Sequence, residues 1–560
     1  MNRRSFPTRT LIAACATAAA LAAPAVASAT DRWVDTDTGT NSGNSCTVQA
    51  NPCKTIQQAS DTSQIAGNFG TIHVDQGTYT EDINIAQGNH VTADDFVTGD
   101  SGPTVITNTG SGVTVYVQAT ASISGFQIVS DSPFVVVAAD NASVHDNTIT
   151  AKTVNSTAVQ VSPTGGSPSV IGNTIIADSG DEDVGVSVEA GTGRATISAN
   201  TIGEAAAGFA RGVSLKPGAR ASLEGNTILG TREDGAVGNG IRVDGADDVS
   251  IVDNDIRQPV TTPGDDSYGV YAVNLAPSDS LSLERNRIVG MTDTGIVLGD
   301  VAGTVTSSND IVAGSSDRSV YAGNAPDVTF TNDTIIAGNS APVVLNTAHL
   351  TVDSSILDVP ITTDGGTVTC SIAYSRGPAI VEGGNGCGEF QTTADPQFVD
   401  RFASPVPDLE LKPTSPLLDE GNPADPGAGV LDNSGDARVV ESDGECPHEA
   451  RRDMGAEELA PTLADCPVVE PPAERDTTAP DSGIVGKKKQ HGHKARFKLT
   501  STEDGSTFEC KLDRGKFVPC DASFRSRKLN FGRHTLFVRA TDAAGNADQT
   551  PAAKKFKLKR

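Results

Sequence analysis

The sequence predicts an all-β protein built around a right-handed parallel β-helix, and three observations carry that expectation. A phrase based on Asn-Thr-Ile recurs about every 27 residues through the middle of the chain. The segments between turns are short and β-branched, bounded by Gly, Asn, Asp and Ser, with no room for a ten-residue helix. Among 560 residues there are 57 glycines but one Trp and three Met, with 4% aromatics, which suits tight turns and short strands rather than helix packing.

The repeat runs through Asn147-Thr148-Ile149, Asn173-Thr174-Ile175, Asn200-Thr201-Ile202, Asn226-Thr227-Ile228, Asn254-Asp255-Ile256, Asn286-Arg287-Ile288 and Asn309-Asp310-Ile311. Looser copies follow at Asp333-Thr334-Ile335 and Ser354-Ser355-Ile356. A second phrase keeps the same period: Gly185-Val186, Gly212-Val213, Gly240-Ile241, Gly269-Val270 and Gly295-Ile296. Two phases of one period mean one coil per repeat. A propeller blade needs about 40 residues, and a leucine-rich repeat needs a leucine ladder that is absent. The fit is a coil of three short strands, each bonded to its counterparts about 4.8 Å above and below. Residues 71–394 then hold about eleven coils. The recurrent asparagine is expected to take the left-handed bend between strands and to stack its amide into a ladder.

Ahead of the coils, residues 1–29 read as an export signal: Arg3, Arg4 and Arg9 precede an Ala/Leu-rich stretch that ends at Ala27-Ser28-Ala29. Asn2-Arg3-Arg4-Ser5-Phe6 suits a twin-arginine signal as well as the general route. Apart from Cys15, eight cysteines fall into neighbouring couples, Cys46/Cys53, Cys370/Cys387, Cys446/Cys466 and Cys510/Cys520, which in an exported chain predicts four local disulfides. No CxxC or paired-His spacing accompanies them, so structural zinc is disfavoured. Residues 30–70 are expected to cap the first coil, with a short helix begun near Pro52. Here Pro52-Cys53-Lys54-Thr55-Ile56-Gln57, followed by Gly77-Thr78-Tyr79-Thr80-Glu81, resembles the opening of extracellular pectin-lyase-like β-helix proteins. That resemblance implies a β-helix with a helical cap, in a family that includes enzymes and non-enzymatic adhesins.

Past the coils, Asp395-Pro396-Gln397-Phe398-Val399-Asp400, Leu409-Glu410-Leu411-Lys412-Pro413 and Arg452-Asp453-Met454-Gly455-Ala456-Glu457 resemble the closing segment of bacterial surface β-helix proteins. The resemblance implies that residues 395–466 wrap the last coil. A Pro-rich linker, 467–476, leads into residues 477–560, whose strand-like pieces and Asp542-Ala543-Ala544-Gly545-Asn546 turn resemble the immunoglobulin-like modules of bacterial extracellular proteins. Charge divides at the same place. The formal net charge of −28 combines 20 basic and 62 acidic residues over 30–476 with 19 basic and 8 acidic residues from 477 onward. An acidic body of this kind repels nucleic acid, and no apolar run after the first 30 residues is long enough to span a membrane.

One candidate site stands out from the repeat. Aligning coils on the Gly-Val phrase puts Ser187, Ser214, Arg242, Tyr271, Val297 and Tyr321 in one outward column, with Asp183, Asp265, Asp266, Asp293 and Asp317 in the turn just upstream. Three readings stay open. Asp266 and Asp293 can act as a catalytic acid and base with Arg242 as clamp or base. Asp265, Asp266, Asp293 and Asp317 can supply oxygens to calcium, while Tyr271, Tyr321 and Arg242 contact sugar. The plain alternative is that Asp is a favoured turn residue. Gly264-Asp265-Asp266 partly matches the Gly-Asp-Asp of polygalacturonases, but the Asn-Thr-Asp, Gly-His-Gly and Arg-Ile-Lys that accompany it there are missing. His491-Gly492-His493 is a further metal candidate, set against a solvated strand end. The expectation is a secreted or surface-associated protein that binds an extracellular polysaccharide or cell-envelope glycan without catalysis. The alternative is a polysaccharide lyase or glycoside hydrolase acting on an acidic polysaccharide.

Overall fold

The computed structural model describes residues 29–96, 102–108, 110, 112–178, 183–204, 208–230, 238–258, 266–337, 343–363, 368–378, 389–404, 406–423, 430–438, 451–459 and 478–560. The chain divides into two compact units, Met1–Thr462 and Leu463–Arg560. Almost all of the expected export signal lies outside the described residues, as do Asp265, Cys387, Cys446 and Cys466.

The first unit is a parallel β-helix with three ladders of 12 to 14 strands. Its most regular ladder holds 12 strands, from Gly77–Thr80 to Ile356–Leu357, one more rung than the repeat suggested. Two long strands, Arg318–Thr331 and Val343–Asp353, turn the corner between the other two ladders. Inward Ile and Val residues stack from coil to coil, as in Ile149, Ile175, Ile202, Ile228, Ile256 and Ile288, all fully buried. The two sequence phrases meet inside. A methyl group added to Gly185, Gly212, Gly240 or Gly269 would collide with Ile202, Ile228, Ile256 or Ile288, so the glycine column is the space those isoleucines occupy.

The asparagine ladder forms, in a different conformation from the one expected. Asn147, Asn173, Asn200, Asn226, Asn254 and Asn286 are buried, and each of the first five gives both its backbone N–H and its side-chain amide to the next residue's Oδ1, at 2.8–3.1 Å. The left-handed bend belongs to the preceding residue, as at Asp146 (φ 57°), Ala199 (φ 53°), Asp253 (φ 55°) and Arg285 (φ 54°). The ladder then changes chemistry. Asn286 donates to Asp310, Asp310 to Asp333, Asp333 to Ser355 and Ser355 to Ser375. Asn309 and Ser354 therefore hold the bend, at φ 57° and 51°, and the apparent repeat phrases beginning at these two residues are one residue out of phase.

The cap joins its two sequence motifs physically. Its helix, Ile56–Ala66, begins at Thr55, whose side chain accepts from the Gln58 N–H. The Glu81 carboxylate accepts from the N–H groups of Ile56 (2.9 Å) and Gln57 (3.0 Å), satisfying donors that a helix start leaves open. Cys46–Cys53 and Cys510–Cys520 are disulfides, and Cys370 is disulfide-bonded.

After the last coil the chain lies along the side of the rod. Phe398, Leu409, Leu411, Leu417, Met454 and Ala456 pack on Val289, Ile311, Ala313, Ile336 and Ile356, which point outward from successive coils. Asn433 donates to the carbonyls of Asn286 (3.1 Å) and Asn309 (2.9 Å), and Ala456 N–H to Thr334 Oγ1 (2.8 Å). The covered surface thus spans four coils instead of the terminal one, because those coils are apolar on both sides.

The second unit pairs a three-stranded sheet (Ser482–Val485, Arg496–Ser501, Ser523–Arg525) with a five-stranded one (Lys489–His491, Ala552–Lys559, Gly532–Thr541, Thr507–Leu512, Val518–Cys520). Their inner faces share one core of Phe497, Leu499, Leu536, Val538, Phe556 and Leu558.

Candidate functional site

The predicted column is real in register: Ser187 pairs with Ser214, then Arg242, Tyr271, Val297 and Tyr321 follow on successive strands. It is not uniformly open. Ser187, Ser214 and Val297 are buried, whereas Arg242, Tyr271 and Tyr321 are partly exposed. The usable surface is therefore confined to the coils from residue 242 to 321.

There the side chains form an interlocked group. The Tyr271 ring stacks on Tyr268, centroids 5.3 Å apart and planes 6° apart, and the Arg242 guanidinium lies 5.2 Å from the Tyr271 centroid. Arg242 also donates to Asp244 (3.0 Å), whose other oxygen accepts from Asn274 (2.8 Å). Burial pushes the Asp244 carboxyl up, but the hydrogen bonds from Asn274 and Arg242 outweigh it and hold the group below its ordinary range. Arg242 is thus engaged on two sides, by the Tyr271 ring and the Asp244 carboxylate. Two coils on, Arg318 lies 5.5 Å from the Tyr321 centroid and pairs with Asp317 at 3.1 Å.

The aspartates adjoin this group. The Asp293 backbone carbonyl accepts from the N–H groups of Asp317 (3.0 Å) and Arg318 (3.2 Å), and its carboxyl accepts from Thr294 Oγ1 (2.6 Å). Burial raises the Asp293 carboxyl, and the negative charges of Asp317 and Asp266 add to the effect. The Tyr268 phenol is raised by burial and then by Asp293, which places the aromatic pair and the carboxylates within one electrostatic neighbourhood. Asp266 and Asp317 are exposed. Asp183 is a buried structural residue that accepts from the N–H and hydroxyl of Ser156 (2.8 and 3.0 Å). Among the described residues no three His, Cys, Asp or Glu side chains converge as a metal-binding group. His491 and His493 each turn Nδ1 to a backbone carbonyl, of Arg560 and Leu529, at 2.8 Å.

Tyr268, Arg318, Asp244 and Asn274 are the members that the sequence alignment passed over. Arg211, Asn239 and Tyr268 make a second column three residues upstream of the first, as do Thr294 and Arg318. For Tyr268 and Arg318 the available signal was the fixed three-residue offset from Tyr271 and Tyr321; Asp244 and Asn274 lie beyond the first column and share no such offset.

A family model agrees with this architecture. Residues 96–256, less than half of the chain, match the family model described as a right handed beta helix region. No curated protein matches the chain. Among solved structures, the chain is similar to PfbA, a surface adhesin of Streptococcus pneumoniae (13% identity, TM-score 0.40, covering 59% of this chain and 92% of that one). It is also similar to the pectate lyase Pel9A (14% identity, TM-score 0.37, 78% and 98%) and the Dettilon tailspike protein gp208 (14% identity, TM-score 0.37, 65% and 68%). The chemistry has to be read from the residues.

Proposed function

We propose that this is a secreted or surface-associated β-helix protein that binds carbohydrate without cleaving it. The observation that carries the reading is the Tyr268/Tyr271 stack with Arg242 fixed beside it. A sugar presents an apolar face and a rim of hydroxyls, and a partly exposed ring pair bordered by Arg242, Asp244, Asn274 and Asp266 offers a partner for each. The Cys46–Cys53 and Cys510–Cys520 bridges suit an oxidising compartment, and the export signal read in residues 1–29 supplies the route. No described helix is long and apolar enough to cross a membrane. The second unit reads as an immunoglobulin-like sandwich, supported by its two packed sheets, with a cell-envelope glycan as partner.

The test is retention of the full-length protein on a panel of insoluble uncharged glycans. Wild type is retained, Y268A/Y271A is not, and no reducing or unsaturated ends are released. A second reading has its own support: Asp293, raised by burial and two neighbouring carboxylates, has the character of a general acid. Product release from an acidic polysaccharide that disappears in D266N/D293N would replace the binding reading with a lyase or hydrolase. A calcium requirement for retention, lost in the same variant, would assign the aspartates to the ion.

A further inference from the structure

We propose that the outer face of the five-stranded sheet in the second unit is a separate binding site for a polyanionic glycan, a linear chain carrying a carboxylate or sulfate on most of its sugars. The argument begins with strand register. Lys489 stands directly opposite Lys557, and Lys557 directly opposite Arg533, so three cations form a row across three adjacent strands. Lys555 and Lys559 flank Lys557 on the same side of its strand, which alternates exposed lysines with buried Phe556 and Leu558. All five cations are exposed.

Strand spacing sets the lattice at about 4.8 Å across the sheet and about 6.8 Å along it. Like charges placed directly opposite one another destabilise a sheet, and none of the five has an ion-pair partner among the described residues. The ion pairs of this unit lie elsewhere, at Arg539–Glu509 (2.5 Å) and His534–Asp513 (2.7 Å). Folding therefore holds together a repulsive row that an external anion would relieve. The regular spacing suits a polymer with regularly spaced charges, because several cations engage one chain at once.

Two features favour a glycan over nucleic acid. The unit carries its own disulfide, Cys510–Cys520, which suits an oxidising compartment. Of the rings on this face, His491 turns Nδ1 to the Arg560 carbonyl (2.8 Å) and Phe537 lies against the Lys511 ammonium (5.3 Å), so both are engaged and neither stands within the Lys489–Lys557–Arg533 row. This site lies in a different unit from the tyrosine group of the rod, so either can fail alone.

The experiment uses full-length protein and three probes: polygalacturonate, a neutral galactan and a short DNA duplex. Wild type binds polygalacturonate, weakening steeply as salt is raised, and does not bind the galactan through this unit. K489Q/R533Q/K557Q weakens polygalacturonate binding about tenfold or more and flattens its salt dependence. It melts no lower than wild type, because the substitutions remove repulsion. A control triple of exposed lysines between strands, K494Q/K516Q/K528Q, removes the same charge and leaves binding within about twofold. Y268A/Y271A leaves polygalacturonate binding by the second unit intact. Unchanged binding in the first triple, or equal losses in both triples, would overturn the site. Tighter binding of the duplex than of polygalacturonate would overturn the glycan assignment.

Discussion

The early and late coils of the rod solve the same problem with different chemistry. From Asn147 to Asn286 the ladder is uncharged, and each amide both accepts and donates along the stack. From residue 310 it continues as Asp310, Asp333, Ser355 and Ser375. The outer surface changes nearby. Thr148, Thr174, Thr201, Thr227, Asp255 and Arg287 give way to Ile311, Thr334 and Ile356 in the same column, and the late positions are buried under the returning chain. The early coils are self-sufficient repeats. The late coils depend on a cover and contain buried carboxyls, so the two regions should differ in response to mutation and to pH.

The largest effect is expected where the early ladder is cut. N200A removes the acceptor for Asn173 N–H (2.9 Å) and Asn173 Nδ2 (3.0 Å) and the donor to the Val170 carbonyl (2.8 Å), all buried. Each orphaned group costs about 1–3 kcal/mol, so a loss of about 3 kcal/mol or more is predicted in denaturant unfolding. A loss below about 1 kcal/mol would mean that water substitutes for the amide and that the ladder is decorative. Next comes the late region's cover. M454A removes a side chain packed on the outward apolar column and should cost about 2–4 kcal/mol. It should also raise hydrogen exchange in residues 311–313 and 334–337 while leaving 148–151 protected, if the late coils rely on their cover as argued.

Much of this contrast was legible in the sequence. The period gave the coils, the Asn-Thr-Ile phrase gave the ladder, and the Gly-Val phrase gave the register of Arg242, Tyr271 and Tyr321. The ladder's change of chemistry was obscured because Asn309-Asp310-Ile311 imitates the repeat while pairing one residue later, with Ile311 opposite Arg287. A signal for the cover was present in Ile311-Val312-Ala313 and Ile335-Ile336-Ala337, apolar on both faces where earlier coils alternate with polar residues. In the site, Tyr268 and Arg318 were missed because a second outward column lies across the glycine from the first. The role of Glu81 required a contact 25 residues back in the chain, to Ile56, which no local pattern specifies.

The third prediction concerns pH. Burial pushes Asp310 up to about 7, and burial together with Asp310 holds Asp333 well above its ordinary value. In the cover, burial raises Asp453 to about 6 and Glu458 to about 9. A carboxyl whose folded pKa exceeds its unfolded one contributes fully below the unfolded pKa, and that contribution is lost as pH rises through the folded value. The late coils should therefore weaken between about pH 4 and pH 7 relative to the early ones. D310N removes the ionisable group and keeps an Oδ1 for the Asn286 donors, while the Oδ2 that accepts from Ser307 Oγ (2.7 Å) becomes an amide that donates to that hydroxyl. It should raise the melting temperature at pH 7 to 8 and change it little near pH 4. An equal gain at both pH values would show that packing rather than ionisation is responsible.

The smallest expected effect on stability is at the tyrosine group, where the two regions adjoin. Tyr271 is partly exposed and contributes no ladder bond through its ring. Y271A should shift the unfolding free energy by about 1 kcal/mol or less, the order of an exposed stack with a cation beside it. Loss of glycan retention with near-native stability would separate binding from architecture at a single residue. A large loss of stability would instead show that the Tyr268, Tyr271, Arg242 and Asp244 group clamps adjacent coils together. Its position between a self-sufficient repeat and a covered one would then be structural, and the sugar would have to bind elsewhere.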